Sequence, residues 1–218
     1  MIMKTNSWGQ WRILALFFAA GCMNHRVVAQ GTPLETEQDK KVSAFLKSRE
    51  NSWQDMNVPA SDGKLLYDII VKNNYKHAVE IGTSTGHSGI WIAWALSKTG
   101  GKLITIDIDE GRRKEALANF EKAGLSKYID SRLADAHELV PKLNGPIDFV
   151  FSDADKDWYL NYFKALDPKL VVGGCFTSHN IDMHGAKEFF EYISRLPNYK
   201  TTADYHGAGM SISYKTGM

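Results

Sequence analysis

From residue 77 to residue 177 the chain alternates short apolar runs of strand length with helix-length patterns, and the links between them are only a few residues long. This alternation restricts the fold more than any other feature. Runs at 77–81, 102–108, 128–133, 147–152 and 170–177 read as strands. Helical patterns lie between them at 88–97, 111–123, 136–143 and 158–166, and a further one follows at 185–196. Thr99-Gly100-Gly101, Gly124 and Gly145-Pro146 punctuate the series. Strands joined through helices run parallel, and such a sheet needs helices over both faces. Two last strand-like runs, 199–205 and 210–215, have no helix between them and should pair antiparallel. The expected architecture is therefore α/β: a mainly parallel seven-stranded sheet, helices on both faces, and an antiparallel final strand pair.

With 218 residues, 44% hydrophobic and 23% charged, the chain suits one globular domain with a full core. A net charge of +1 gives no reason to expect a nucleic-acid partner. The two cysteines, Cys22 and Cys175, form neither a disulfide framework nor a CxxC metal pair. Lys4 and Arg12 precede an apolar run at 13–23, no acidic residue comes before Glu35, and small residues end at Ala29. Residues 1–29 thus read as a secretory signal peptide, and the protein as exported to a periplasm. The run is too short for a stable membrane span, which takes about 20 residues. Ala19-Ala20-Gly21-Cys22 is an imperfect lipoprotein box that would anchor Cys22 to lipid, whereas translation from Met23 would leave the protein cytoplasmic. Residues 30–218 then form one domain, with N-terminal helices over 30–75 and the sheet core over 76–218. Thr32-Pro33-Leu34-Glu35 has capping-box spacing and predicts a helix to about Trp53. Pro59 and Gly63 predict a loop over 57–63, followed by a helix over 64–73.

The chemistry-bearing residues fall at strand ends. Glu80-x-Gly82-x-x-x-Gly86 occupies the first strand-to-helix turn, where two glycines let backbone approach a ligand. The spacing is not that of a dinucleotide turn, and Glu80 would repel a phosphate and attract a cation. Asp107 ends the second strand at the distance of a ribose-binding acid, and Asp109 can cap the next helix. The fourth strand ends in Asp153-Ala154-Asp155-Lys156-Asp157, which on charge alone is equally a solvated turn. A glycine turn, a ribose acid and an acid suited to a positive group together describe S-adenosylmethionine better than NAD.

Met56-Asn57-Val58, residues 79–88, Ile104-Thr105-Ile106-Asp107 and residues 149–159 give the chain its likeness to a family. Over roughly 56–215 it resembles the class I S-adenosylmethionine-dependent O-methyltransferases of the catechol and caffeoyl-CoA type, with their Rossmann-like methyltransferase fold. The resemblance implies that Val58, Glu80, Gly82, Ser84, Gly86 and Ser88 surround the methionine half of the cofactor. Asp107 and Ile108 would lie at the ribose, and Asp135, Ala136 and His137 near the adenine. Asp153 would be a metal ligand, Ala154 a cofactor neighbour and Lys156 the catalytic lysine. The acceptor would be a small molecule bearing a hydroxyl, and a homodimer through the N-terminal helix would follow plant relatives.

One departure stands out. The family's metal site takes two aspartates and an asparagine, whereas here Asp153 is joined by His179 and Asn180. That set loses a negative charge and gains a nitrogen donor less suited to Mg²⁺. His179 is therefore open to three readings: a general base second to Lys156, a ligand of a different divalent metal, or a loop histidine satisfied by backbone. Two other functions compete, an NAD(P)-dependent oxidoreductase and an S-adenosylmethionine-binding protein without catalysis. The turn spacing opposes the first; the histidine and the signal segment favour the second. His87 is expected to pack or cap, His184 and His206 to be surface residues, Trp91, Trp94 and Cys175 to be core, and Trp158, Tyr159, Tyr205 and Met210 to be weaker pocket candidates.

Overall fold

Seven strands form one sheet in the order β3-β2-β1-β4-β5-β7-β6. The computed structural model describes residues 35–53 and 55–218. The strands are β1 (His77–Ile81), β2 (Lys102–Asp107), β3 (Ile129–Leu133), β4 (Ile147–Ser152), β5 (Leu170–His179), β6 (Tyr199–Asp204) and β7 (Met210–Lys215). The helices are α1 (Glu37–Arg49), α2 (Ala60–Asn73), α3 (His87–Thr99), α4 (Glu110–Lys122), α5 (Ala136–Leu139), α6 (Tyr159–Leu166) and α7 (Ala186–Ile193). β1 to β5 pair in parallel, and β7 pairs antiparallel with both β5 and β6. The expected Rossmann-like arrangement with an antiparallel end is the one found.

Side-chain alternation along the central strands feeds two cores. Val79, Ile81, Val150 and Phe176 face α6 and α7, packing against Tyr159, Phe163, Leu166, Phe189 and Ile193. Ala78, Leu103, Phe149, Phe151 and Cys175 face α2 and α3, packing against Leu66, Ile70, Ile92 and Leu96. Cys175 is fully buried, and burial pushes its thiol pKa well up, so it is inert core as expected. Met210 is also fully buried in this core rather than lining a pocket. Trp91 and Trp94 are only half-buried, and the Trp94 indole N–H donates to Asp39 at 2.6 Å.

Several boundaries differ from the pattern. α1 starts later than expected: Thr36 is the cap, its hydroxyl accepting from Asp39 N at 3.2 Å while Asp39 Oδ2 accepts from Thr36 N at 2.8 Å. The Thr32 box, Cys22 and the signal segment lie outside the described residues. Residues 60–63 belong to α2 and not to a loop. Gly63 is there because α2 crosses α3 closely: a Cβ on it would overlap the Trp91 indole. β5 runs on to His179, because pairing with β7 holds His179 opposite Met210. No helix among the described residues is long and apolar enough to cross a membrane.

Gly63→Ala should therefore destabilise the fold despite the better helix propensity of alanine, by about 1–3 kcal/mol as overpacking does. Thermal unfolding should show a drop of roughly 2–4 °C per kcal/mol. An unchanged or higher midpoint would mean that the α2–α3 crossing does not depend on this glycine.

Candidate functional site

The carboxyl ends of β1, β2, β4 and β5 open into one cavity of about 760 Å³, the size of a small-molecule site. Its walls come from the turns after these strands, from residues 134–137, from Asn57 and Pro59 ahead of α2, and from Met183 and Ala208.

The glycine turn is held by Asp107. Its Oδ2 accepts from Thr83 N at 3.0 Å and Ser84 N at 2.7 Å, and its Oδ1 accepts from Asp109 N at 2.9 Å. Ser84 sits at φ 47, a strained value for a non-glycine residue, and this carboxylate fixes it there. Gly82, at φ 98, lies so close to β4 that a Cβ would come 2.6 Å from the Asp153 carbonyl oxygen. Asp109 caps α4 through Arg112 N, as its alternative reading foresaw.

Glu80 is fully buried behind this turn. Burial pushes its pKa up to about 8; the nearby carboxylates of Asp153 and Asp107 add to the rise, and hydrogen bonds from Ser88 and Thr105 oppose it. Thr105 Oγ1 donates to Glu80 Oε2 at 2.5 Å, while Glu80 Oε1 has no protein partner. The buried Ser84 hydroxyl has none either. An orphaned hydroxyl at the wall of a cavity is what a polar ligand would satisfy.

On the far side, Asp135 caps α5 through His137 N. The His137 ring stacks on Trp158 with centroids 4.0 Å apart, and its nitrogens lie 3.4 Å from Asp135 and 3.3 Å from Asp155. The His137 ring lines the cavity, and Trp158, stacked on it, is not part of the lining. Ala136, Ala154 and Ile108 line the cavity beside His137.

The acidic turn after β4 is solvated only in part: Asp155 and Asp157 are exposed, whereas Asp153 and Lys156 are half-buried and paired. Lys156 Nζ donates to Asp153 Oδ1 at 2.7 Å. His179 Nδ1 lies 3.3 Å from Asp153 Oδ2, and His179 Nε2 lies 2.8 Å from Asp62 Oδ2. His179 is buried, which alone would lower its pKa; contact with Asp153 and Asp62 outweighs this and raises it to about 9. The ring ends β5 between two carboxylates rather than against backbone: Nε2 is hydrogen-bonded to Asp62, and Nδ1 faces Asp153 without a directed hydrogen bond. With its pKa raised in this way it is a poor general base near neutral pH.

Gly82, Ser84, Ser88, Asp107, Ile108, Asp135, Ala136, His137, Asp153, Ala154, Lys156, His179 and Asn180 all line the cavity. Val58, Glu80 and Gly86 stand behind its wall. Val58 packs in the core, its carbonyl 2.8 Å from His87 Nδ1; Gly86, at φ 95, starts α3 against Phe120. His87 is thus a packing residue, while His184 and His206 are exposed beside Asp157 and Asp204. Tyr159 is core, its hydroxyl donating to the His179 carbonyl at 3.2 Å. Asn57, Met183 and Ala208 come from segments 53–64, 179–186 and 205–210, which the sequence offers as the frame of the acceptor pocket, whereas Arg112 and the role of Asp62 were missed. No periodicity or spacing marks them.

A sequence model described as O-methyltransferase matches residues 36–189. Caffeoyl-CoA O-methyltransferase 2 of Eucalyptus globulus is 34% identical over 160 residues, covering 71% of this chain and 64% of that protein. The Petunia hybrida protein of the same name is also 34% identical, covering 71% and 65%. The match thus spans just under two thirds of these plant relatives. An O-methyltransferase from Bacillus cereus in complex with SAH has a similar fold, at TM-score 0.71 and 23% identity, covering 87% of this chain and 94% of that one. TomG from Streptomyces achromogenes, an O-methyltransferase involved in tomaymycin synthesis and solved with SAM, aligns at TM-score 0.70 and 26% identity, covering 85% and 93%.

The raised pKa of His179 predicts a pH-dependent stability. The stabilisation is fully present below about pH 6.5 and is lost as pH rises through about 9. Glu80, also raised, adds a slope of the same sign between 4.5 and about 8, so the comparison must be with His179→Asn. In denaturant unfolding at a series of pH values, the wild-type advantage over His179→Asn should shrink from pH 6.5 to 9. A constant or growing difference would contradict the doubly paired ring.

Proposed function

This chain belongs to the O-methyltransferase family, and from that premise we propose that it transfers the methyl group of S-adenosylmethionine to a hydroxyl oxygen of a small, phenolic acceptor. The observation that carries the reading is the placing of Lys156 and Asp153 in the same cavity as the Gly82–Ser84 turn and Asp107.

The residues suit the cofactor. The Ser84 hydroxyl lines the cavity without a protein partner, where the polar end of a methionine moiety would meet it, and the Glu80 carboxyl lies behind that wall. Asp107 keeps one lone-pair site, on Oδ1, for a ribose hydroxyl beyond the three N–H groups it already accepts. The His137 ring, held in a stack with Trp158, offers a flat surface to an adenine. Bound S-adenosylmethionine supplies an electrophilic methyl group on a sulfonium.

The protein's part is to bring the acceptor oxygen in line and to make it nucleophilic. Lys156 gives one N–H to Asp153 and retains others for the cavity it lines. An ammonium beside a phenol lowers that hydroxyl's pKa, so its proton leaves to water and the oxygen attacks as an oxyanion held by Lys156. The apolar side chains of Met56 and Met183, both largely exposed at the cavity wall, suit an aromatic acceptor. The turn spacing and the family membership both weigh against a nicotinamide cofactor. Export directed by residues 1–29 and a homodimer through α1 complete the proposal. N-terminal sequencing of the mature protein and its sedimentation behaviour test those two parts.

Lys156→Ala should lower turnover on a phenol panel about 10²–10⁴-fold, the range for losing such a group. Calorimetry should find S-adenosylhomocysteine affinity nearly unchanged. Unaltered turnover would remove Lys156 from the chemistry, and no binding of S-adenosylhomocysteine by the wild type would overturn the methyl-transfer reading.

A further inference from the structure

Asp62 lies in the first turn of α2, is 1% exposed, and is the one member of the site cluster that comes from the N-terminal helices. Its Oδ2 is 2.8 Å from His179 Nε2 and accepts from Ala208 N at 3.0 Å. Gly207 passes so close that a Cβ there would overlap the Asp62 carboxylate. On its other side His179 faces Asp153 Oδ2 at 3.3 Å, an ion-pair contact without the alignment of a directed hydrogen bond. Lys156 then holds Asp153 Oδ1 at 2.7 Å. Asp62, His179, Asp153 and Lys156 form a line in which anion and cation alternate.

The ring's protonation follows from this geometry. A neutral imidazole has one N–H, so one of its two carboxylate neighbours would face a lone pair in a buried place. A ring carrying both protons meets both carboxylates favourably, and two anions are balanced by two cations. Such a ring has no lone pair for a metal. A divalent ion at Asp153 would also have to displace a cation from each carboxylate oxygen. Asp153, His179 and Asn180, as arranged here, therefore do not fit a divalent metal.

We propose that the Asp62–His179 pair stands in for a divalent metal beside Asp153, so that this protein methylates its acceptor without one. The proposal rests on the methyl-transfer reading and deepens it. His179 supplies fixed positive charge, Asp62 is the positioning residue that holds it, and Lys156 remains the group that meets the acceptor oxygen. With no ion for two adjacent oxygens to chelate, one hydroxyl on the acceptor suffices, and vicinal diols gain no advantage.

The test is a Mn²⁺ titration of the wild-type protein loaded with S-adenosylhomocysteine, followed by the electron paramagnetic resonance of the free ion. The wild type should leave that signal unchanged, and its turnover on a monohydric phenol should be the same with and without EDTA. H179D restores an acidic donor and should capture Mn²⁺. D62N should lower kcat about tenfold, as loss of an orienting partner does, with the cofactor KM unchanged. Stoichiometric Mn²⁺ capture by the wild type, or loss of turnover in EDTA, overturns the proposal. The wild-type titration decides it even if H179D does not fold. Binding of S-adenosylhomocysteine is measured separately, so failure of the methyl-transfer reading shows there and not in the Mn²⁺ signal.

Discussion

The site depends on how closely β1 and β4 approach at their carboxyl ends. Asp153 N donates to the Ile81 carbonyl at 2.8 Å, and Gly82 N donates to the Ile106 carbonyl at 2.9 Å, so the ladder continues past the last strand residues. The glycine turn and the acidic turn are thus parts of one rigid surface. Only glycine permits it, because the Asp153 carbonyl occupies the space where a Cβ would stand. Moving β4 by one residue would exchange the faces of Val150 and Phe151 as well as displace Asp153. The hydrophobic core therefore sets the register that aims the chemistry.

Around that surface, charge is placed in two different ways. Glu80 is buried where water cannot reach it, with neighbouring acids, and its proton is retained to about pH 8. A positive charge nearby would favour the ionised form, and in its absence the protonated carboxyl leaves no unpaired charge buried behind the cavity. The other arrangement, Asp62 to Lys156, is charged throughout and internally balanced. Burying such a chain costs desolvation that pairing offsets only when each group is satisfied. Asp62, the most buried of them, has both its partners within the protein, His179 Nε2 and Ala208 N.

The sheet was legible because the central strands leave little choice. Phe149, Val150 and Phe151 form a buried run bounded by a Gly-Pro turn signal and by acids, and no helical period fits so short a stretch. Helix starts were less legible. Thr32 and Thr36 each precede an acid by three residues, and spacing alone does not choose between them. Gly63 reads as a breaker at about 1 kcal/mol of propensity, which the packing of α2 on Trp91 outweighs. Asp107, Asp153 and Lys156 were found because they sit at strand ends, where an α/β sheet binds its ligands. Asp62 was hidden because its partner His179 is 117 positions away, and nothing local marks such a pair.

That long-range pair also gives the N-terminal helices a part in the site. α2 covers one face of the sheet with Leu66, Ile69 and Ile70, but its first turn delivers a carboxylate beneath the end of β5. The β6–β7 loop is tied to the same oxygen through Ala208 N. A change in the packing of α2 would therefore be felt at His179 and at Ala208 together, on two walls of the cavity. Gly63, next to Asp62, keeps α2 close to α3 and so keeps that carboxylate within reach. A buried histidine at the end of β5 is stable here because an acid supplied from a different layer of the fold completes its charge.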